Sequence, residues 1–530
     1  MDELQIVSIG MLVLLLFFSV AYLLEAAEER RQLKLPPGPP ASLLFGSRLP
    51  AFDKHPWLVF DEMKKQYGPV ITFADGPSKL IFVVTSLKAA QHILADKAAI
   101  SGDRPRSILV NEWMSGGNRV LLMPRNDRFR KYRRIYSSAL SDKASAHYES
   151  IQSQEAKDAM LQLAQCTDDK QWQHVLTRLT ASIIMSVIYD IRVEGLHDPR
   201  VQTMIKHLFT FTGYVLPGAS MPDAWPILEY VPKIINPWKK MAAEFLKSES
   251  GIVTKLFSEV KVRVQQGQAR RCFVSDLQEE QNALGLSDVE ASYCSGALFG
   301  VPSRSFEMRS DSRLIDLRLD VLQLSVLVLA MLKYPAEYKK LQAEMDRVVG
   351  SDRMPSFEDE LPFLQACLYE SFRWRPITPS GAPHRLEDDI VWEGRVLPKG
   401  SVVYACQYSI NRDPEVYSDV DTFKPERFLD SSGKLTATRD AMQLLFGWGR
   451  RACPGNHVAM RSLRITLAML AWSFDITSPL KPQDQPTSYK RFTSSSASMP
   501  FPFPAKFTWR SEERRQVCLA EVAATSDTCK

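Results

Sequence analysis

The 530-residue chain has 8 cysteines but no Cys-x-x-Cys and no paired cysteine spacing. That argues against a disulfide framework. Cys166, Cys272, Cys294, Cys367 and Cys406 stand in apolar or mixed surroundings and read as reduced thiols, in keeping with a domain facing the cytosol. An excess of charge is also missing. The 66 Lys and Arg against 61 Asp and Glu leave a net charge of +5, too little to argue for nucleic acid as a partner. No internal repeat or low-complexity tract appears. Glycine is scarcer than proline, 24 against 33, which suggests many stiff connections. What remains is an ordinary globular composition, 45% hydrophobic and 24% charged. The length alone permits roughly two to four domains.

The N-terminus departs from that composition. Residues 4–24 are apolar apart from Gln5, Ser8, Ser19 and Tyr22. A membrane span needs about 20 such residues. A cleaved signal peptide is the rival, with Ser19, Val20 and Ala21 as its cleavage site. However, Asp2 and Glu3 stand where Lys or Arg would be expected. Arg30, Arg31 and Lys34 follow the run, so the positive-inside rule keeps the downstream chain cytosolic. The expectation is one membrane anchor over 1–29. The run Leu35, Pro36, Pro37, Gly38, Pro39 and Pro40 then reads as a stiff spacer.

Two strand-like runs, 70–73 and 80–84, are split by Asp75, Gly76 and Pro77 and predict a β-hairpin. Beyond it, apolar positions recur with a helical period around 148–165, 173–190, 239–262 and 325–348. A second small β portion is expected near 390–404. Val110–Leu122 and 209–225 carry Trp113, Met114, Phe211, Tyr214, Met221 and Trp225 among Gly and Pro, as an apolar pocket or as core under loops. The polar end, 511–530, reads as a disordered tail.

The most informative stretch is Phe446-Gly447-Trp448-Gly449-Arg450-Arg451-Ala452-Cys453-Pro454-Gly455. Its glycines allow backbone angles closed to other residues. Cys453 falls just before a helix expected from Asn456, where the helix dipole favours a thiolate. Arg450 and Arg451 add positive charge. Such a turn can present one anionic sulfur to a metal, although a buried structural cysteine in a Gly-rich loop is the plainer reading.

The full pattern F-x-x-G-x-R-x-C-x-G, with Phe446, Gly449, Arg451, Cys453 and Gly455, resembles the haem-binding loop of the cytochrome P450 family. By that resemblance Cys453 is the proximal ligand of the iron of haem b, and Phe446 and Gly449 belong to its binding loop. Arg451 contacts a haem propionate. A thiolate ligand pushes electron density toward iron and favours O–O cleavage. The implied fold is the cytochrome P450 fold, mainly α with small β-sheets (α+β), preceded by one N-terminal transmembrane helix. The haem domain would span 30–510.

Other positions follow the same pattern less closely. In the family motif W-x-x-x-R, Arg133 matches as a propionate contact. Phe129 stands where Trp is usual, and it can pack but cannot donate a hydrogen bond. Neighbouring Arg128, Arg130 and Lys131 form a solvated basic face or a contact for an acidic reductase. Glu370 and Arg373 form E-x-x-R on an expected helix, and Arg427 in Pro425-Glu426-Arg427-Phe428 joins them by resemblance in a structural cluster behind the haem. His384 matches a further propionate contact, with a surface histidine as the alternative.

One family element is missing. The central helix normally bears [AG]-G-x-[DE]-T-[TS], an acid–alcohol pair that relays protons. Here, between the apolar stretches 293–300 and 322–332, the segment 301–321 carries Pro302 and eight charged residues: Arg304, Glu307, Arg309, Asp311, Arg313, Asp316, Arg318 and Asp320. Proline in a helix interior costs about 3 kcal/mol. An unspliced intron or a misplaced splice boundary explains the segment; a genuine surface insertion is the other reading. No catalytic relay residue is assigned.

The resemblance is strongest to fungal microsomal P450 monooxygenases of secondary metabolism or xenobiotic oxidation. It implies insertion of one oxygen atom from O₂ into an apolar small molecule. NADPH electrons would arrive through a separate reductase, at the endoplasmic reticulum membrane. Two alternatives stay open: a thiolate-haem isomerase or dehydratase, and an inactive haem-binding product of mis-splicing.

Overall fold

The computed structural model describes Glu25, Glu28 and 32–528, apart from 43–45, 48–49, 51–53, 77–78, 168–170, 216–219, 300–318, 437–438 and 495–496. The apolar run 4–24 of the expected anchor and most of 301–321 therefore lie outside the described residues. Among the described residues, no helix is long and apolar enough to cross a membrane. The chain forms two compact units interleaved in sequence. The first comprises Met1–Pro105, Ser380–Asp413 and Trp448–Arg451; the second comprises Arg106–Pro379, Pro414–Gly447 and Ala452–Lys530.

The first unit carries the larger β portion. Helix α1 (Pro56–Tyr67) packs on strand β1 (Val70–Asp75), with the Phe60 and Phe73 rings edge to face at 5.8 Å. β1 pairs antiparallel with β2 (Lys79–Val84), placing Phe73 opposite Ile81, so the expected hairpin forms. All of β2 except Lys79 is buried, as a continuous apolar run requires. β3 (His384–Arg385), β4 (Ile390–Trp392), β5 (Arg395–Leu397) and β6 (Val402–Ala405) supply the second β portion. β6 lies parallel to β2 and antiparallel to β3, giving the order β1-β2-β6-β3. β4 and β5 form a hairpin. Its two turn residues, Glu393 and Gly394, have φ of 48° and 71°, as a tight turn with this handedness needs.

The second unit is mainly helical: α2 (Asp127–Ala139), α3 (Glu149–Ala164), α4 (Trp172–Tyr189), α5 (Pro199–Val215), α6 (Pro237–Gln265), α7 (Phe273–Leu284) and α8 (Asp288–Gly296). α4 is buried around nearly its whole circumference and forms the core; α3, α6 and α7 pack against it. α2 fixes the end of α8. Tyr132 and Tyr136, one turn apart, donate to the carbonyls of Glu290 and Cys294 at 2.6 and 2.7 Å. α6 crosses α8 closely, because a Cβ at Gly296 would fall 2.7 Å from Val253 Cγ1.

Two expectations need correction. The helical period over 325–348 is two helices, α9 (Leu319–Lys333) and α10 (Pro335–Val348). Pro335 has no N–H to give and pushes Tyr334 out of helical geometry, to φ −125° and ψ 69°. Besides shorter helical turns, further helices are α11 (Pro362–Trp374), α12 (Arg439–Phe446), α13 (Asn456–Ser473) and α14 (Glu512–Thr528). α14 occupies the segment expected as a disordered tail. Arg514 pairs with Asp346 at 2.7 Å and donates to the carbonyl of Trp472 at 2.7 Å, and Cys518 is fully buried. Its polar composition conceals these anchors, which depend on partners distant in sequence.

Candidate functional site

The cysteine loop runs between α12 and α13. In the second unit, the Cys453 N–H donates to the carbonyl of Phe446 at 2.8 Å and closes the loop. The Phe446 ring packs 5.8 Å from Phe372 on α11. Gly447, at φ 82°, allows the chain to turn out of α12. Cys453 is half-buried, three residues before the start of α13. The described cysteines that are fully buried are poor thiolate candidates. Burial pushes the thiols of Cys294 and Cys518 up to about 12 and that of Cys406 up to about 11, and it also raises Cys272 and Cys367. Arg133 on α2 donates to the carbonyl of Ala452 at 2.8 Å. Burial lowers its pKa, and the charge of the Cys453 sulfur acts in the opposite sense. Phe129, one turn earlier on α2, packs in the core.

Trp448–Arg451 belong to the first unit. Trp448 donates from its indole nitrogen to Gln407 Oε1 at 3.3 Å. Gly449 has φ 55°, and a Cβ there would fall against the carbonyl of Leu94 and 2.7 Å from Ala98 Cβ, so no other residue fits. Residues 101–104 gather the polar groups of this unit, a role the sequence reading missed. Arg451 Nε donates to the carbonyl of Gly102 at 2.7 Å, with Asp103 4.0 Å from its Nη2. Asp103 also accepts from Arg385 at 2.8 Å. Arg104, buried so that its pKa falls to about 10, donates to the carbonyl of Pro383. His384 is buried, and its Nδ1 donates to the carbonyl of Ser101 at 2.8 Å. Burial, with Arg104 and Arg451 nearby, lowers the imidazole to about 3 and keeps it neutral. Its Nε2 therefore offers a lone pair. Donation from Nε2 to a carboxylate would require that carboxylate to draw a proton onto the ring. The sequence signal for this cluster is the charge pair Asp103-Arg104 set directly before Pro105.

The E-x-x-R residues and Arg427 come together in the second unit. Arg373 binds Glu370 through two hydrogen bonds of 2.6 and 2.8 Å, with side chains 1% and 0% exposed. Arg427 Nε lies 3.4 Å from Glu370 Oε1, which also accepts the Lys424 N–H at 2.8 Å. Arg373 further donates to the carbonyls of Val420 and Thr422 at 2.9 and 3.1 Å, and Arg427 to that of Asp419 at 2.7 Å. The cluster thus fastens 419–424 to α11.

Other expected residues divide. Trp113, Met114, Phe211 and Tyr214 gather in one apolar cluster with Phe245. Met221 and Trp225 lie outside that cluster and are 48% and 61% exposed, on and just after a short helical turn. In the basic run, Arg128 pairs with Glu290 at 2.8 Å and Arg130 with Asp127, while Arg134 is exposed.

The family's sequence model, described as Cytochrome P450, matches residues 36–300 and 322–502. The chain belongs to the cytochrome P450 family. Cytochrome P450 monooxygenase 113 of Postia placenta is 35% identical over 93% of this chain and 95% of its own. A cytochrome P450 monooxygenase of Armillaria gallica is 33% identical over 91% of each chain. Cytochrome P450 monooxygenase FrzL of Cladobotryum sp. is 30% identical over 92% of this chain and 90% of its own. This P450 is accordingly an oxidoreductase of the monooxygenase kind, and its cofactor is haem iron. The family match skips 301–321, the same segment that stands out in the sequence.

The residues present fit a haem. Iron needs a sulfur, and among the described cysteines Cys453 combines partial exposure with a place at a helix start. Two propionates need cations: beside Cys453 the second unit offers Arg133, and the first unit, taken by itself, holds the buried guanidiniums of Arg104 and Arg451. A Cβ added at Gly447 or Gly455, on either side of Cys453, would meet no atom within 4 Å. No group of three His, Cys, Asp or Glu that could hold a bare metal ion is found among the described residues.

Glu370→Ala should leave the charges of Arg373 and Arg427 buried without their carboxylate, costing on the order of 3–5 kcal/mol. The expected outcome is loss of folded, haem-loaded protein, measured as haem absorbance per chain. Normal haem content with merely slower turnover would contradict the structural role.

Proposed function

We propose that this P450 hydroxylates an apolar small molecule in secondary metabolism or xenobiotic oxidation, with Cys453 as the sulfur that would hold the haem iron. The observation that carries this reading is the position of Cys453: half-buried, three residues before α13, near Arg133, while burial raises the pKa of the fully buried cysteines. The overall reaction is RH + O₂ + NADPH + H⁺ → ROH + H₂O + NADP⁺, with the electrons passed through a separate reductase. Haem, when bound, supplies the oxidising chemistry; the protein supplies the ligand, orientation and exclusion of water. Arg133, Arg451 and His384 are assigned to the propionates, and Phe446 and Gly449 to the shape of the loop. The exposed cations Arg130 and Arg134 suit an acidic reductase surface.

The catalytic domain would be held at the endoplasmic reticulum membrane, facing the cytosol, by the apolar run 4–24. An exposed apolar row, with Trp225, Ile227, Tyr230, Ile234 and Ile235 each 61–80% exposed, supports a second contact with lipid. A second reading concerns 301–321. Its omission from the family match, with the absence of the acid–alcohol pair, favours a retained intron.

Reduced protein under CO should show the red-shifted Soret band of thiolate-bound haem, and Cys453→Ser should lose it. A mutant that keeps the band would move the ligand to another cysteine. Deleting residues 1–30 should release much of the protein from membranes while haem binding persists; secretion of the full-length product cleaved near Ala21 would instead support a signal peptide. Sequencing the expressed transcript should place a short acid-plus-Thr motif between Gly300 and Leu322. A transcript encoding 301–321 in frame, from a protein that hydroxylates efficiently, would overturn the intron reading.

A further inference from the structure

The second unit contains a polar cavity to which no role has yet been assigned. It is small, with room for little more than one polar group, and it is lined by residues of α5, α6 and α8, the turn after α8 and the loop before α2. Arg119 and Glu249 form an ion pair there, with side chains 14% and 5% exposed. The Arg119 guanidinium lies 3.8 Å from the centre of the Phe211 ring. His207 Nε2 is 2.8 Å from Ser248 Oγ. Met204, Leu208, Val253 and Phe299 supply apolar lining.

Four polar atoms of this lining have no hydrogen-bond partner among the described residues: Arg119 Nε, His207 Nδ1, Glu249 Oε2 and Tyr293 Oη. His207, Glu249 and Tyr293 are 7%, 4% and 3% exposed. Buried polar groups are normally satisfied, so four together at one cavity point to something that enters it. The charge balance limits what that is. Arg119 and Glu249 offset each other, and burial with Arg119 nearby keeps His207 neutral. A carboxylate would face Glu249, and an ammonium would face Arg119. A hydrocarbon would leave all four atoms unmet. A hydroxyl both donates and accepts: it can give its proton to Glu249 Oε2 and accept from Arg119 Nε–H or the Tyr293 hydroxyl.

We propose that this cavity receives a hydroxyl group of the otherwise apolar substrate, so that the molecule already carries an alcohol when it binds. The inference rests on the monooxygenase reading above. It implies that the preceding reaction is one that installs an alcohol, such as a hydroxylation or a hydration. Tyr293 and Glu249 are then specificity determinants.

The test uses full-length, haem-loaded protein and hydrocarbon–alcohol pairs of one skeleton: farnesene and farnesol, tetradecane and 1-tetradecanol, androstane and androstan-3-ol. Thermal shift gives a binding constant that does not depend on the haem signal. In at least one pair the alcohol should bind about tenfold tighter. Tyr293→Phe should narrow that gap roughly three- to tenfold, as loss of one hydrogen bond predicts, without lowering the melting temperature. Glu249→Gln should narrow it too. Because that change leaves Arg119 buried without its counter-charge and can impair folding, Tyr293→Phe carries the test. Equal affinities within every pair, no binding of any alcohol, or a gap unchanged by Tyr293→Phe would overturn the proposal and leave the cavity to water. Failure of the monooxygenase reading would look different: no CO band and no reductase-dependent oxygen use, whatever the alcohols do.

Discussion

A sulfur that is to ligate a metal must stay anionic, and a protein interior opposes that. The cost is visible in this chain, where burial pushes Cys294 and Cys518 up to about 12. A usable thiolate must therefore sit at the margin of the core, where a helix N-terminus and a guanidinium offset the lost hydration. Cys453 occupies such a margin. That location imposes the rest of the local design. The chain must leave α12, turn and start α13 within a few residues, which sets the left-handed angles at Gly447 and Gly449. The Cys453 N–H bond to Phe446 then closes the loop on itself.

A loop that is mostly turn has little stability of its own, so its neighbours must be rigid. Phe446 rests on Phe372 of α11, and α11 is the helix that carries Glu370 and Arg373. One carboxylate and two guanidiniums leave a net positive charge within a buried cluster, which is unfavourable unless the remaining donors find acceptors. They do: the carbonyls of Asp419, Val420 and Thr422 take them. The cluster thus converts a desolvation penalty into a fixed backbone path for 419–424. Removing one partner is far more damaging than never having had the pair, which is why E-x-x-R here reads as architecture and not chemistry.

Local chemistry made some of this legible in the sequence. The hairpin at 70–84 was readable from two apolar runs around Gly76, and the break at Tyr334 was written in Pro335, although the apolar period ran across it. The cysteine loop was readable because turn residues, cations and a helix start all lie within ten positions. What escaped was polar structure assembled from distant segments. Residues 101–104 collect His384 and Arg451 through the carbonyls of Ser101 and Gly102, and although the charge pair Asp103-Arg104 marks the spot, nothing in the sequence says which distant donors those carbonyls take. Arg119, His207, Glu249 and Tyr293 stand on four separate segments, and each looks like an ordinary surface or core residue alone. α14 was missed for the same reason: Arg514 has meaning only beside Asp346 and Trp472.

The boundaries of 301–321 gain force from what surrounds them. The turn ending at Phe299, which is 2% exposed, packs on α4, and so does α9, whose residues from Gln323 to Leu329 are buried. Both flanks are thus committed to the core of the second unit. Gln323 even donates to Ser371 at 2.6 Å, on the helix of the Glu370 cluster. Continuing that packing through 301–321 would bury eight charged side chains, and each would need a counter-charge or several hydrogen bonds to be tolerated. On α4 the one buried charged side chain is Arg178, and it is already paired with Glu155. Flanks this apolar are what would be expected if far fewer, and far less charged, residues had joined them.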